Sequence, residues 1–286
     1  MVRPYIEEFI EYRKSVGTDG MHIFGLPGTG KTHQGMKILR DCLKNGEIGI
    51  MRGDIFTEWR HFLNFPDSIK KVLVLIPKRG KIHNIRVPNE VITDFRFVDF
   101  NTLNICDYLV PRQLTVCYDE NYGLSEKAWF WVKTFKQIIS RYQKEIVDIP
   151  VAYLDNEAGI LWPETALSGT KESKETKNHW KAVHKFCELA VYFRKALVRP
   201  ILISQLEQEI KWQLRMKCMW QVIRKGKAPR YAPAQVQRAA PLQSIEQYIV
   251  MLGGGLYCTG NTNYAFPETK EIWKMIPANE LKLKIP

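Results

Sequence analysis

The chain has 286 residues, of which 45% are hydrophobic and 25% are charged, so its composition is that of a globular protein with a substantial core. Lysine and arginine outnumber aspartate and glutamate by 42 to 30, and the net charge of +12 favours a polyanionic partner such as nucleic acid or an anionic membrane surface. No apolar run approaches the roughly 18 residues of a membrane span, and the acidic, amphipathic first residues differ from a signal peptide.

The six cysteines are widely spaced and include no C-x-x-C pair. Such spacing is not typical of a metal site or of a disulfide framework. We therefore expect reduced, mostly buried thiols in a cytosolic type of compartment. The cysteines are Cys42, Cys106, Cys117, Cys187, Cys218 and Cys258.

Residues 25–32 read G-L-P-G-T-G-K-T and match the phosphate-binding loop pattern G-x-x-x-x-G-K-[ST] at every fixed position. The apolar run 21–24 predicts a strand before the loop, and residues 32–43 have the spacing of a helix after it. Glycines let successive backbone N–H groups converge on phosphate oxygens, and the helix N-terminus adds its positive end. This context predicts that the chain binds a nucleoside triphosphate.

Each residue type in the loop has a predicted task. Lys31 would place its ammonium against the β- and γ-phosphates, and the Thr32 hydroxyl would bind Mg²⁺. The predicted nucleotide-binding residues are Gly25, Pro27, Gly28, Thr29, Gly30, Lys31, Thr32 and His33.

Strands alternate with helices along the rest of the chain. Strands are predicted at 71–77, 114–118, 150–154 and 200–204, helices at 4–15, 125–142 and 180–196, a peripheral hairpin within 82–100, and a mobile charged connector at 168–178. This order predicts an α/β fold with a mainly parallel sheet flanked by helices. We expect a single domain over 1–286, with a small peripheral β insertion at about 81–112 and a basic C-terminal extension at about 206–286.

Two predicted strands end in acidic residues that could complete a hydrolytic site. Hydrolysis requires one carboxylate that positions Mg²⁺ and a second that orients the attacking water. One candidate pair is Asp119 and Glu120, which follow the strand at 114–118. The other pair is Asp155 and Glu157, which follow the strand at 150–154.

The surroundings of the second pair resemble the FtsK/HerA superfamily of P-loop ATPases, which includes Zot-like and viral genome-packaging branches. From Val151 the order is a strand, N-E-A, L-W-P, a charged loop, a long helix and a strand that ends in S-Q. Family members carry D-E-A after the carboxylate strand and a γ-phosphate-sensing Gln after the next strand. The resemblance covers roughly 20–224, includes the strand V-L-V-L-I-P-K-R-G at 72–80, and implies a RecA/FtsK-like P-loop NTPase fold.

The resemblance implies that Glu157 orients the attacking water, that Asp155 lies near Mg²⁺ and that Gln205 senses the γ-phosphate. Two positions depart from the family pattern. Asn156 stands where the family has its magnesium aspartate, and Ile76 stands where the second strand often ends in Asp. Asp155 is one residue early, and on a strand that neighbour faces the other way unless the strand ends or bulges there. Asp119 and Glu120 therefore remain open for the same roles.

Residues 205–238 carry eight basic side chains against two acidic ones, a net charge of +6. The basic residues are Lys211, Arg215, Lys217, Arg224, Lys225, Lys227, Arg230 and Arg238. Apolar residues between 212 and 223 recur at intervals of three and four, which predicts a helix with one apolar and one basic face. The segment could track the phosphate backbone of DNA, Arg215 could reach the γ-phosphate of a neighbouring subunit as an arginine finger, or the helix could simply pack on the core.

These features favour an ATP-hydrolysing motor that moves DNA, as in viral genome packaging or plasmid transfer, with ATP and Mg²⁺ as cofactors. We expect a ring-like homo-oligomer that binds DNA largely without regard to sequence, located in the cytoplasm, or in the host cytoplasm or virion if the source is viral. The alternatives are a Zot-like assembly or secretion ATPase acting on protein or membrane partners, a small-molecule kinase, and a nucleotide switch that does not hydrolyse. No motif in the sequence distinguishes ATP from GTP.

Overall fold

The structure, a computed structural model, describes residues 20–53, 71–77, 84–88, 93–119, 122–144, 149–165, 173–253, 255–261 and 273–277. The helix expected at 4–15, the acidic residue Glu120 and the connector residues 168–172 lie outside the described residues.

Twelve strands and six helices are described. The strands are β1 Met21–Phe24, β2 Ile48–Gly53, β3 Lys71–Pro77, β4 Asn84–Pro88, β5 Thr93–Val98, β6 Gln113–Tyr118, β7 Val151–Asp155, β8 Val198–Ser204, β9 Trp220–Ile223, β10 Gln247–Leu252, β11 Gly255–Asn261 and β12 Trp273–Pro277. The helices are α1 Lys31–Lys44, α2 Leu124–Lys144, α3 Ala158–Leu161, α4 Lys174–Ala190, α5 Trp212–Arg215 and α6 Ala234–Ala239.

Ten strands form one sheet in the order β11-β10-β9-β1-β8-β7-β2-β6-β3-β5. The eight strands from β9 to β5 all run parallel, whereas β10 and β11 add an antiparallel hairpin at the β9 side. The predicted mainly parallel α/β sheet is therefore confirmed. Because β1, β7 and β8 are parallel neighbours, their carboxyl ends meet at one edge of the sheet, where ligands bind in α/β folds.

Helices cover both faces of the sheet. Helix α1 packs on one face, against a core that contains Leu154 and Ile203. Helices α2 and α4 pack on the other face, where Trp131, Tyr153 and Trp162 belong to an aromatic core. Strand β7 alternates between the two cores, as the period of two requires.

Three local predictions are wrong. The hairpin expected within 82–100 does not form, because β5 pairs with β3 in the main sheet and β4 pairs with β12. Residues 174–178 belong to α4 instead of a connector, since the Ser173 hydroxyl accepts a hydrogen bond from Thr176 N and caps the helix.

The amphipathic helix expected over 212–223 ends after one turn, at Arg215. Residues 220–223 form β9, which lies beside β1 and is buried on both faces. Burial on both faces suits the adjacent Val222 and Ile223, and pairing with β1 overrides the helical periodicity.

Candidate functional site

The phosphate-binding loop connects β1 to α1, as predicted. Gly30 is the N-cap residue of α1 at φ 74°, a left-handed conformation that favours glycine. The Lys31 ammonium donates hydrogen bonds to the carbonyl oxygens of Gly25 and Leu26, both at 2.8 Å, and Thr29 Oγ1 also donates to Leu26 O at 2.8 Å. The loop therefore curls around the ammonium that would contact phosphate.

The other predicted nucleotide-binding residues lie in the loop and in the first turn of α1. Pro27 and Gly28 are exposed, whereas Thr32 and His33 are partly buried in the first turn of α1. The first N–H groups of α1 have no carbonyl partner within the helix and present a positive end to an anion.

Arg224, directly after β9, binds this loop from inside the protein. Its side chain is buried, Nε donates to Thr29 O at 2.7 Å, Nη1 donates to Gln34 Oε1 at 3.4 Å, and Nη2 donates to Ile245 O. A Cβ atom at Gly25 would lie 2.7 Å from the Arg224 Cβ, so only glycine fits there. The expectation that Arg224 belongs to a DNA-binding surface is wrong, because its charge is buried under the phosphate loop.

The predicted sensor strand β8 lies directly beside β1. Gly25 N donates to the carbonyl oxygen of Gln205 at 3.1 Å, and the side chain of Gln205 is exposed. One step earlier, His22 Nε2 and Ser204 Oγ are 2.7 Å apart, and burial, helped by the charge of Arg215, lowers the pKa of His22 to about 3. A neutral His22 thus holds the two strand ends together immediately before the loop begins.

The sheet order separates the two candidate carboxylate strands. Strand β7 lies two positions from β1, with β8 between them, whereas β6 lies two positions further from β1 than β7 does. The strand that ends in Asp155 is therefore the nearer one to the phosphate loop.

The Asp155 carboxylate nevertheless faces away from α1. It is fully buried and accepts hydrogen bonds from the Tyr153 hydroxyl at 2.9 Å, Trp162 Nε1 at 3.0 Å and Glu157 N at 3.2 Å. Tyr153 and Trp162 belong to the core under α2 and α4, on the face opposite the helix that carries Thr32. The structure does not bring Asp155 and Thr32 together, and the role of Asp155 toward Mg²⁺ stays a prediction.

Arg52, on a strand that the sequence analysis missed, joins the two candidate acidic pairs. Its Nε lies 3.2 Å from Asp119 Oδ2, its Nη1 lies 3.2 Å from Asp155 Oδ1, and its Nη2 lies 3.5 Å from Glu157 Oε2. Burial alone would lower the pKa of Arg52, but the Asp155 and Asp119 carboxylates raise it. The only sequence signal was a charged residue at the end of the apolar run 48–51.

Asp119 is also held within the core and does not open toward the phosphate loop. Trp131 Nε1 donates to Asp119 Oδ2 at 3.1 Å, and Lys127 lies 4.0 Å from Oδ1. Burial raises the pKa of Asp119, although Arg52 and Lys127 oppose the shift. Of the three carboxylates on Arg52, only Glu157 is largely exposed, at 58% of its side chain.

Arg215, the predicted arginine finger, is bound within its own chain. It pairs with Glu207, and its Nη2 lies 3.3 Å from Glu164 Oε2. Its side chain is only 18% exposed. A role at a neighbouring subunit would require both ion pairs to break, and it stays a prediction.

Two further features bear on ligands. Among the residues that the structure describes, no group of three or more His, Cys, Asp and Glu side chains could hold a metal ion. A hydroxyl such as that of Thr32 is nevertheless an oxygen donor that suits Mg²⁺ carried by a nucleotide. Within the described part of the chain, no helix is long and apolar enough to cross a bilayer.

Known proteins resemble this chain in structure but not detectably in sequence. No family model matches the chain, and no curated protein matches it by sequence. The DNA-packaging ATPase B204 from Sulfolobus turreted icosahedral virus matches with a TM-score of 0.50 and 11% identity, over 85% of this chain and 95% of B204. The genome packaging NTPase B204 from Sulfolobus turreted icosahedral virus 2, in complex with ATP-gammaS, matches over the same shares with a TM-score of 0.50 and 9% identity.

A third similar structure is the pCW3 conjugation coupling protein TcpA, with a TM-score of 0.46 and 11% identity, over 93% of this chain and 65% of TcpA. The likeness to B204 concerns the fold, because the identity is low. The sheet order, the phosphate loop and the two B204 matches agree: the chain has a P-loop NTPase fold, with a mainly parallel sheet flanked by helices.

Proposed function

We propose that this chain is an ATP-hydrolysing motor that moves DNA, in genome packaging or plasmid transfer, as a ring-like homo-oligomer in a cytoplasm or virion. The observation that supports the proposal is the hydrogen bond from Gly25 N to Gln205 O, which keeps Gln205, the proposed sensor, beside the first glycine of the phosphate loop. The fold shared with the genome packaging NTPase and the DNA-packaging ATPase supports the same conclusion.

The phosphate loop would bind the triphosphate through the N-terminal N–H groups of α1 and through Lys31. In doing so, the Lys31 ammonium would exchange its two carbonyl partners for phosphate oxygens. Mg²⁺, when bound, would neutralise part of the phosphate charge, and the Thr32 hydroxyl would hold it.

Glu157 is the proposed water-orienting base. Its exposed side chain can leave Arg52 at small cost, because exposed ion pairs contribute only about 0–1 kcal/mol. Water attacks the γ-phosphorus and gives up a proton to Glu157, the bond to the β–γ bridging oxygen breaks, and ADP and phosphate form. Gln205 would register the loss of the γ-phosphate from the neighbouring strand end.

The DNA-binding surface is proposed on the segment between β9 and β10, a loop that includes the short helix α6. Lys227, Arg230 and Arg238 are exposed there, whereas Arg224 and Arg215 are engaged inside the protein. The loop begins at Arg224, under the phosphate loop, and returns to Ile245, whose carbonyl accepts a hydrogen bond from Arg224. This connection offers a direct mechanical route from the nucleotide to DNA-contacting residues.

The test is ATP hydrolysis with and without double-stranded DNA, for the wild type, Glu157→Gln and Glu120→Gln, with Lys31→Ala as the inactive control. We expect DNA to stimulate the wild type, and we expect Glu157→Gln to lose about 10²–10⁴-fold in rate, the usual contribution of general base catalysis. Loss in Glu120→Gln alone would move the catalytic roles to Asp119 and Glu120. Tight ATP binding without hydrolysis would contradict the motor.

A further inference from the structure

The candidate site lacks one of the two carboxylates that hydrolysis requires. Asp155 faces the α2 and α4 side of the sheet, where Arg52 and Trp162 hold it. Asn156 is uncharged, and it stands where the FtsK/HerA resemblance implies an aspartate. Of this pair, only the exposed Glu157 would remain available to the nucleotide.

Glu209 occupies that side. It ends the 3₁₀ turn Glu207–Glu209 directly after the sensor strand, and its Oε2 accepts a hydrogen bond from Gln205 N at 2.8 Å. The carbonyl oxygen of the same Gln205 accepts from Gly25 N at 3.1 Å, so two hydrogen bonds connect the Glu209 carboxylate to the first glycine of the phosphate loop.

The opposite side of Glu209 lies against the turn that follows Glu157. A Cβ atom at Gly159 would lie 3.0 Å from Glu209 Oε2, which means that the carboxylate packs on the backbone of α3. Glu209, in the segment that follows β8, therefore contacts the segment that follows β7 and is linked to the phosphate loop through Gln205.

The charge of Glu209 acts on the loop lysine. Burial lowers the pKa of the Lys31 ammonium, the Glu209 carboxylate opposes this shift, and the Arg224 guanidinium adds to it. The other candidate acids are paired with arginines: Arg52 pairs with Asp119, Asp155 and Glu157, and Arg215 pairs with Glu164 and Glu207. Glu209 is not among these paired acids, and its charge acts on the Lys31 ammonium.

We propose that Glu209 is the second carboxylate of the hydrolytic site and acts on the Mg²⁺ of the bound nucleotide, directly or through water. The inference rests on the proposed function in one respect, since it needs MgATP in the phosphate loop. A carboxylate there repels the bare triphosphate and attracts its magnesium complex. Removing the charge should therefore change ATP affinity in opposite directions with and without Mg²⁺.

The test is calorimetric titration of ATP, in EDTA and in Mg²⁺, against the wild type and Glu209→Gln. Glutamine keeps an oxygen that can accept from Gln205 N, so the hydrogen bond is preserved while the charge is lost. We expect Glu209→Gln to bind ATP about three- to tenfold more tightly in EDTA and more weakly than the wild type in Mg²⁺. Glu188→Gln, an exposed carboxylate on α4, is the matched control and should change neither value.

Two outcomes would overturn the assignment. Equal affinity ratios in Glu209→Gln and the wild type, in a protein that hydrolyses ATP, would leave Glu209 with a purely structural role and the motor intact. A wild type that binds no ATP would overturn the motor and the assignment together. A reversal of sign in a protein that does not hydrolyse would support Glu209 and contradict the motor. Thermal unfolding of Glu209→Gln should match the wild type, and Glu209→Asp, which keeps the charge, should restore the weaker binding in EDTA.

Discussion

Replacing Arg52 with methionine should destabilise the protein strongly, because the guanidinium neutralises two buried carboxylates at once. Asp119 is 2% exposed and Asp155 is 0% exposed, and both lie 3.2 Å from Arg52 nitrogen atoms. Removing one partner of a buried ion pair costs about 3–5 kcal/mol of unfolding free energy, since a buried charge is left without compensation. Glu157 adds little to this loss because it is exposed.

Urea denaturation measures the change, with the slope m checked to be the same in both proteins. The matched control is Arg96→Met, because Arg96 pairs with Asp94 at 3.1 Å on an exposed part of β5. This variant should lose only about 0–1 kcal/mol of unfolding free energy.

The loss of unfolding free energy in Arg52→Met should shrink as the pH falls. Burial raises the pKa of Asp119 in the folded protein and Arg52 opposes that shift, so the folded variant binds a proton on Asp119 more readily than the wild type does.

Two results would refute this reasoning. An unfolding free energy within about 0.5 kcal/mol of the wild type would mean that Arg52 does not neutralise the buried charges of Asp119 and Asp155. A deficit that grows at acidic pH would mean that the carboxylates are not the groups left uncompensated.

The remaining predictions concern the loop after β9. Arg224→Met should weaken ATP binding and cost about 2–4 kcal/mol of stability, because Thr29 O and Ile245 O lose a charged donor. Arg230 is an exposed arginine on the same loop, and Arg230→Met should change neither quantity. Calorimetry measures ATP binding, and urea denaturation measures stability. Replacing Lys227, Arg230 and Arg238 together with glutamine should leave DNA-free hydrolysis unchanged and lower the slope of log K against log salt for duplex DNA by about 2–3. An unchanged slope in fluorescence anisotropy would place the DNA elsewhere.

Elements that depend on local pattern were predicted well. Strand β1 and helix α1 match the expectation within one residue at each end, and β7 and β8 lie where apolar runs predicted strands. Strand β9 was predicted as helix because its residues also have helical spacing. Only pairing with β1 selects the extended form, and that partner lies about two hundred residues earlier in the chain.

The phosphate loop could be identified from the sequence because its donors are backbone N–H groups of consecutive residues and its conformation depends on local glycines. The cluster of Arg52 with Asp119 and Asp155 could not be identified from the sequence. These residues lie on or directly after three different strands, and Arg52 and Asp155 are 103 positions apart in the chain. The direction of the Asp155 side chain was equally undetermined, because it depends on which face of the sheet position 155 falls on and on where β7 ends. The chemistry of the loop was therefore local, whereas the choice of carboxylates was decided by strand order and by burial, which only the tertiary structure sets.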